Sequence, residues 1–313
     1  MFRTGHATLE RKLAACTGAA NLDPEDRAEF LVLLSTDADE RVSSRASSVL
    51  ATLPPTDFIA AIARADAAPQ VFDYCGQYLA EKAGIAEALI AHPGCPAPAM
   101  VQAVKHLPED VVDAMANNLN LLSLRPELAV VLLASPVITA DQRRNLEEMG
   151  QGAPDAAALE EAVKEAEQDP GKRQSLLVRL SRMRVVERVQ LAIKGGREER
   201  LALVRDPCRV VQRAVMQSPR LTDREVESFA GMANLGEEVL RAIAMNRIFR
   251  KNYVVIKNLC NNPKTPLDIS LQLLKHVHTP DLRTLTMNKN IPETLRSMAT
   301  KLHQQRRATR PGG

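Results

Sequence analysis

One phrase recurs along this 313-residue chain: an apolar, helix-periodic stretch halts at a polar residue followed by Pro, and Thr or a second Pro stands three residues after that proline. Four copies begin at His92-Pro93, Ser135-Pro136, Ser218-Pro219 and Asn262-Pro263, closing on Pro96, Thr139, Thr222 and Pro266, and a degenerate fifth runs from Asn288 to Pro292. Proline removes a backbone donor and collides with the preceding turn, so it cannot continue the first helix, whereas Thr caps and Pro opens the next. Each phrase therefore reads as a tight turn between two helices. The first residues of successive phrases lie 43, 83, 44 and 26 apart, an irregular array in which 83 is close to twice 43.

The flanking residues agree. Residues 126–134 and 253–260 run apolar into a phrase, and 99–104, 225–230 and 269–274 leave one with apolar positions at i, i+3 and i+4. No run alternates with period two between hairpin signals, so strands are not required. An apolar share of 45% and a charged share of 25% suit a folded chain with material for a core. The expected fold is all-α, an α-solenoid of irregular stacked helix pairs, in which each pair buries its apolar face against its neighbours.

The phrases resemble HEAT-like and leucine-rich-repeat-variant helical arrays. Residues 185–302, with the stretches 187–195, 197–200 and 203–207, resemble a family of uncharacterised bacterial repeat proteins. The resemblance covers the last two fifths of the chain and implies the fold without implying a reaction. Variant-repeat proteins can carry an N-terminal iron–sulfur cluster on cysteines. Here that half offers only Cys16, Cys75 and Cys95, too few and too dispersed, so no cluster is expected.

Charge divides the chain. Residues 1–172 hold 14 Lys and Arg against 26 Asp and Glu, and residues 173–313 hold 27 against 12, giving −12 and +15 within an overall +3. The junction, 150–172, is bounded by Gly and Pro and rich in Glu, which reads as a linker or an exposed helix. Four segments are expected: an acidic helical-repeat region 1–149, the acidic linker 150–172, a basic helical-repeat region 173–302 and a flexible tail 303–313.

Spacings that carry chemistry are missing. Lys194-Gly195-Gly196-Arg197 follows a helical stretch rather than a strand, and reads as a helix end closed by glycine. His276 and His278 lack the i, i+4 spacing and a third ligand. Asp37, Asp39 and Glu40 lack the glycine and distal Glu of a calcium loop and suit a cap before a helix at 41–53. Asp206-Pro207 reads as the cap and first residue of a helix at 208–217. Five cysteines, Cys16, Cys75, Cys95, Cys208 and Cys260, are odd in number and far apart, which suits reduced core residues. The longest apolar run, Leu128 to Ala134, is far short of the ~20 residues a membrane helix needs. No cofactor, no enzymatic activity and no membrane partner are expected, and a cytoplasmic location is.

The basic half carries the functional expectation. Arg179, Arg182, Arg184 and Arg188 crowd one stretch, falling into two groups at ~100° per residue. Arg205, Arg209, Arg213, Arg247, Arg250, Lys251 and Lys257 recur in the repeat helices. Aligned across repeats, these eleven would line one surface for an acidic protein partner, or, in the alternative reading, for nucleic-acid phosphates. The chain has no Trp, three Tyr and six Phe, which leaves few platforms for stacking bases. A scaffold that binds a protein partner is the leading expectation, ahead of a nucleic-acid-binding solenoid and of a base-excision enzyme.

Overall fold

A computed structural model describes residues 8–18, 21–152, 160, 164 and 169–308, and every regular element among them is helical. The chain divides into two compact units, one of Met1–Asn118 with Glu127–Leu146 and the other of Leu119–Pro126 with Glu147–Gly313. The second unit thus takes in residues 119–126, which the sequence assigned to the N-terminal region. Helix Leu119–Leu124 packs on helix Val185–Lys194, where the Gln190 side-chain amide donates to the Ser123 carbonyl at 2.5 Å. Most of the expected linker lies outside the described residues, but its end opens helix Pro170–Ser181, capped by Asp169. Residues 303–308 continue the last helix, Glu293–Ala308, instead of forming a tail, because Arg306 is clasped by the Val277 and Lys275 carbonyls at 2.5 and 2.8 Å.

In the first unit, helix Pro24–Ser35 packs against Glu40–Leu50 and Pro55–Ala63 over a core of Leu31, Val42, Ala46, Phe58 and Ile62. Asp39 caps Glu40–Leu50 by accepting from the Arg41 N–H, as expected, though the helix starts and stops earlier than 41–53. Further on, a π-helical turn, Cys75–Leu79, lies against helix Ala97–Ala103, and Gly76 sits so close to Ala99 that a Cβ there would fall 2.9 Å from its Cα.

The second unit shows why the turn phrase recurs. Its polar residue accepts from the N–H two positions on: Asp206 from Cys208, Ser218 from Arg220, Asn246 from Ile248, Asn262 from Lys264 and Asn288 from Asn290. This local turn satisfies a donor that the broken helix leaves open. Three of the same side chains also donate backwards by one helix pair: Ser218 to the Ile193 carbonyl, Asn262 to those of Ala230 and Met232, and Asn288 to Asn261. Ser218 and Asn262 thus meet orphan carbonyls near a helix end, while Asn288 bonds the Asn261 side-chain oxygen.

Such links span 25 to 32 residues, the length of one helix pair. The 26-residue spacing from Asn262 to Asn288 is this repeat. The 44-residue spacing from Ser218 to Asn262 covers three helices, Asp223–Gly231, Glu237–Met245 and Tyr253–Asn261, so the two phrases sit at opposite ends of the stack. Thr222 caps as expected, with Glu225 returning a bond to its backbone N–H at 3.0 Å, and Thr139 and Gln142 do the same in the first unit. Pro96 and Pro266 stand at the cap itself, one residue before the helix they were expected to begin.

Candidate functional site

The helices of the second unit alternate between two layers. Val185–Lys194 packs on Arg209–Met216, which packs on Glu237–Met245, while Asp223–Gly231 packs on Tyr253–Asn261, which packs on Thr279–Met287. Turns from the first layer to the second, 195–196, 217–222, 246–252 and 275–278, therefore share one edge, and return turns share the other. Bonds between turns trace the first edge: Arg220 to the Lys194 carbonyl, the His278 N–H to the Tyr253 hydroxyl, and Arg306 to the 275–278 turn.

The eleven basic candidates do not form one surface. Arg188 is a correction: its side chain is 1% exposed and ion-paired with Asp206, which is fully buried, so it meets no partner. Periodicity could not reveal this, because 173–188 is not a single helix; it breaks at Arg182 to Arg184, between Pro170–Ser181 and Val185–Lys194. Asp206 consequently does not cap the following helix directly: Cys208 occupies the cap position, and Asp206 gives one oxygen to the Cys208 N–H and the other to Arg188. Burial pushes the Asp206 carboxyl up, against the pull of Arg188.

Arg205 is half-buried, donating to the Leu201 carbonyl and lying 3.0 Å from the Met232 sulfur. Arg213 is half-buried in the next helix. Arg179 pairs with Glu199 at 3.0 Å, Arg209 with Glu238 at 3.2 Å and Lys257 with Asp281 at 2.8 Å. Arg182 and Arg184 are exposed at the break before Val185–Lys194.

Arg247, Arg250 and Lys251 remain, exposed together on the turn 246–252 of the first edge. There they join cations that helix-face reasoning overlooked, since these occupy turns and helix starts: Lys194 and Arg197, Arg224, and Lys275. None of the seven has a side-chain hydrogen bond or ion pair among the described residues, and the exposed acids beside them are Glu198 and Asp223. On the opposite edge Arg209, Arg241 and Arg296 pair with Glu238, Asp268 and Glu293, while Lys264 and Lys289 on its turns are exposed without a side-chain bond among the described residues. Met245 and Ile248 project into solvent beside Arg247, 68% and 69% exposed.

Next to this turn the Tyr253 ring stacks on His278 at 3.8 Å, and its hydroxyl donates to Asp281. Desolvation raises the Tyr253 hydroxyl, and Lys257 with Tyr253 holds the Asp281 carboxyl below its usual range. The cluster clasps two successive helix pairs.

Among the described residues no group of His, Cys, Asp or Glu is placed to hold a metal ion, and no single helix is long and apolar enough to cross a membrane. None of the five cysteines is in a disulfide among the described residues, and four of them are buried. Burial pushes the thiols of Cys75 and Cys260 up to about 12 and that of Cys208 to about 11, so all three are protonated at neutral pH and are poor nucleophiles. Gly195 closes one helix and Gly196 starts the next, with no phosphate-binding loop between them. Comparison with protein-family models, with curated proteins and with solved structures finds no match to this chain.

Proposed function

We propose that this chain is a non-enzymatic α-solenoid scaffold of HEAT-like helix pairs, acting in the cytoplasm, that binds an acidic protein surface along the basic edge of its second unit. The observation that carries the reading is the gathering on one edge of seven exposed cations without a side-chain partner among the described residues, Lys194, Arg197, Arg224, Arg247, Arg250, Lys251 and Lys275, where the turns of the other edge carry two, Lys264 and Lys289. Unpaired charges of one sign raise the local potential and speed encounter with an opposite surface.

Met245 and Ile248 favour a protein over nucleic acid, because exposed apolar side chains beside arginines form the centre of protein interfaces but gain little from a phosphate backbone. Phe249 within the turn is half-buried, and Tyr253 just after it already has its ring against His278, which leaves poor platforms for a base. Five cysteines outside any disulfide suit a reducing compartment.

The test titrates the full chain with a labelled Glu- and Leu-rich amphipathic peptide and with duplex DNA across a salt series. The peptide is expected to bind more tightly than the duplex, and Arg247→Ala/Arg250→Ala/Lys251→Ala to weaken it about tenfold, ~1.4 kcal/mol. Ile248→Ser should weaken the peptide alone. Tighter duplex binding with a steep salt slope would move the assignment to nucleic acid, and no binding of either at low salt would end it.

A further inference from the structure

The edge opposite the basic one holds a concavity of about 650 Å³, whose lining includes four asparagines, Asn258, Asn261, Asn262 and Asn290, with Gly231 and Pro263. These residues come from three successive turns of the stack, and the lining contains neither a charged nor an aromatic side chain.

The bonding of the carboxamides is unequal. Asn262 is saturated: its amide donates to the Ala230 and Met232 carbonyls, and its oxygen accepts from the Lys264 N–H. Asn258 donates to the Glu227 carbonyl at 2.8 Å, which leaves its Oδ1 without a donor among the described residues. Asn261 uses one amide hydrogen on the Lys257 carbonyl and its oxygen on Asn288, leaving one hydrogen free. The Asn290 carboxamide has no partner among the described residues, only its backbone N–H being engaged. Asn258 and Asn261, three apart on helix Tyr253–Asn261, are side-by-side neighbours on its surface. The concavity therefore offers an open acceptor and an open donor close together, with a second carboxamide across from them.

We infer that this concavity binds the main chain of an extended peptide segment. A peptide unit presents one N–H and one C=O, the complement of the free Asn258 oxygen and Asn261 hydrogen. The volume falls in the range of formed binding pockets. The uncharged lining gives no purchase to phosphate, and without an aromatic ring it cannot stack a base. The site is separate from the basic edge and does not depend on the function proposed for it.

Gly231 lines the concavity without making any of these bonds. A Cβ at this position would meet only the Asn258 side chain, at 3.6 and 3.9 Å, which is ordinary contact, so a side chain can start there without forcing the backbone, and Gly231→Leu is the variant chosen to fill the concavity. In the full chain with ¹⁵N-labelled asparagine, titration with acetyl-tetraalanine methylamide is expected to move the Asn261 and Asn290 side-chain amide signals saturably, to the same degree at low and high salt. Gly231→Leu should abolish the movement while leaving the helical melting curve in place, and a peptide N-methylated on its amides should not produce it. Absence of saturable movement, or equal movement in Gly231→Leu, overturns the site; movement with adenosine but not with the peptide overturns its occupant.

Discussion

Replacing Asp206 with Asn removes the counter-charge of a guanidinium that water does not reach. Arg188 and Asp206 are 1% and 0% exposed, and the carboxylate also accepts the Cys208 N–H at 2.9 Å, a bond that Asn can keep through its own oxygen. Arginine stays charged at any accessible pH, so Asp206→Asn strands a buried cation, a loss of ~3–5 kcal/mol, or a fall in melting temperature of roughly 6–20 °C for a unit of this size. Arg188→Met leaves a carboxyl group instead, and that group can neutralise itself. Burial raises its folded-state pKa above the unfolded value, so the stability of the variant is highest at acid pH and declines as pH climbs through the raised pKa. Arg188→Met should therefore be milder than Asp206→Asn and recover on acidification. The double variant, which buries no charge, should lie within ~1 kcal/mol of the parent. Urea unfolding of the four proteins followed by circular dichroism at several pH values closes the cycle. The reasoning is refuted if Asp206→Asn costs under ~1 kcal/mol, or if the double variant loses the sum of the singles. Since Arg188 touches no partner, Arg188→Met should also leave acidic-peptide affinity unchanged.

Thr222→Ala removes one half of a reciprocal cap, and a loss of ~1 kcal/mol is expected in the same unfolding assay. Gly76→Ala drives a methyl group to 2.9 Å from the Ala99 backbone, and the first unit should lose ~1–3 kcal/mol, read as a lower thermal midpoint. Asp281 is held deprotonated by Lys257 and Tyr253, so its contribution is intact above its unfolded pKa of ~3.9 and is lost as pH falls through the depressed folded value. Asp281→Asn should accordingly be less stable than the parent at neutral pH, and the difference should vanish on acid titration.

The helical class and the turns were legible because the physics behind them is local. A proline after a polar residue ends a helix at any position in any fold, and Thr222 and Asp39 cap the helices that their hydroxyl and carboxylate foretold. The repeat length was only half legible: one interval between phrases was a true helix pair, and another counted three helices, because Asn246 makes the same turn without a following proline. The acidic and basic halves were a matter of counting, whereas the grouping of residues 119–126 with the second unit comes from packing, which follows apolar faces rather than net charge.

For the candidate sites the division is sharper. Sequence alone located a surplus of cations after residue 173 and the absence of catalytic spacings, both properties of composition and order along the chain. Only the tertiary structure decided that Arg188 is a core residue, that Arg209 and Lys257 are ion-paired, and that Lys194, Arg197, Arg224 and Lys275 join Arg247, Arg250 and Lys251 on one edge. The same holds for the asparagines around Gly231, drawn together from three turns. The physical reason is that a side chain's charge belongs to its residue, whereas its burial, its partner and the edge on which it stands belong to helices a full repeat or more away.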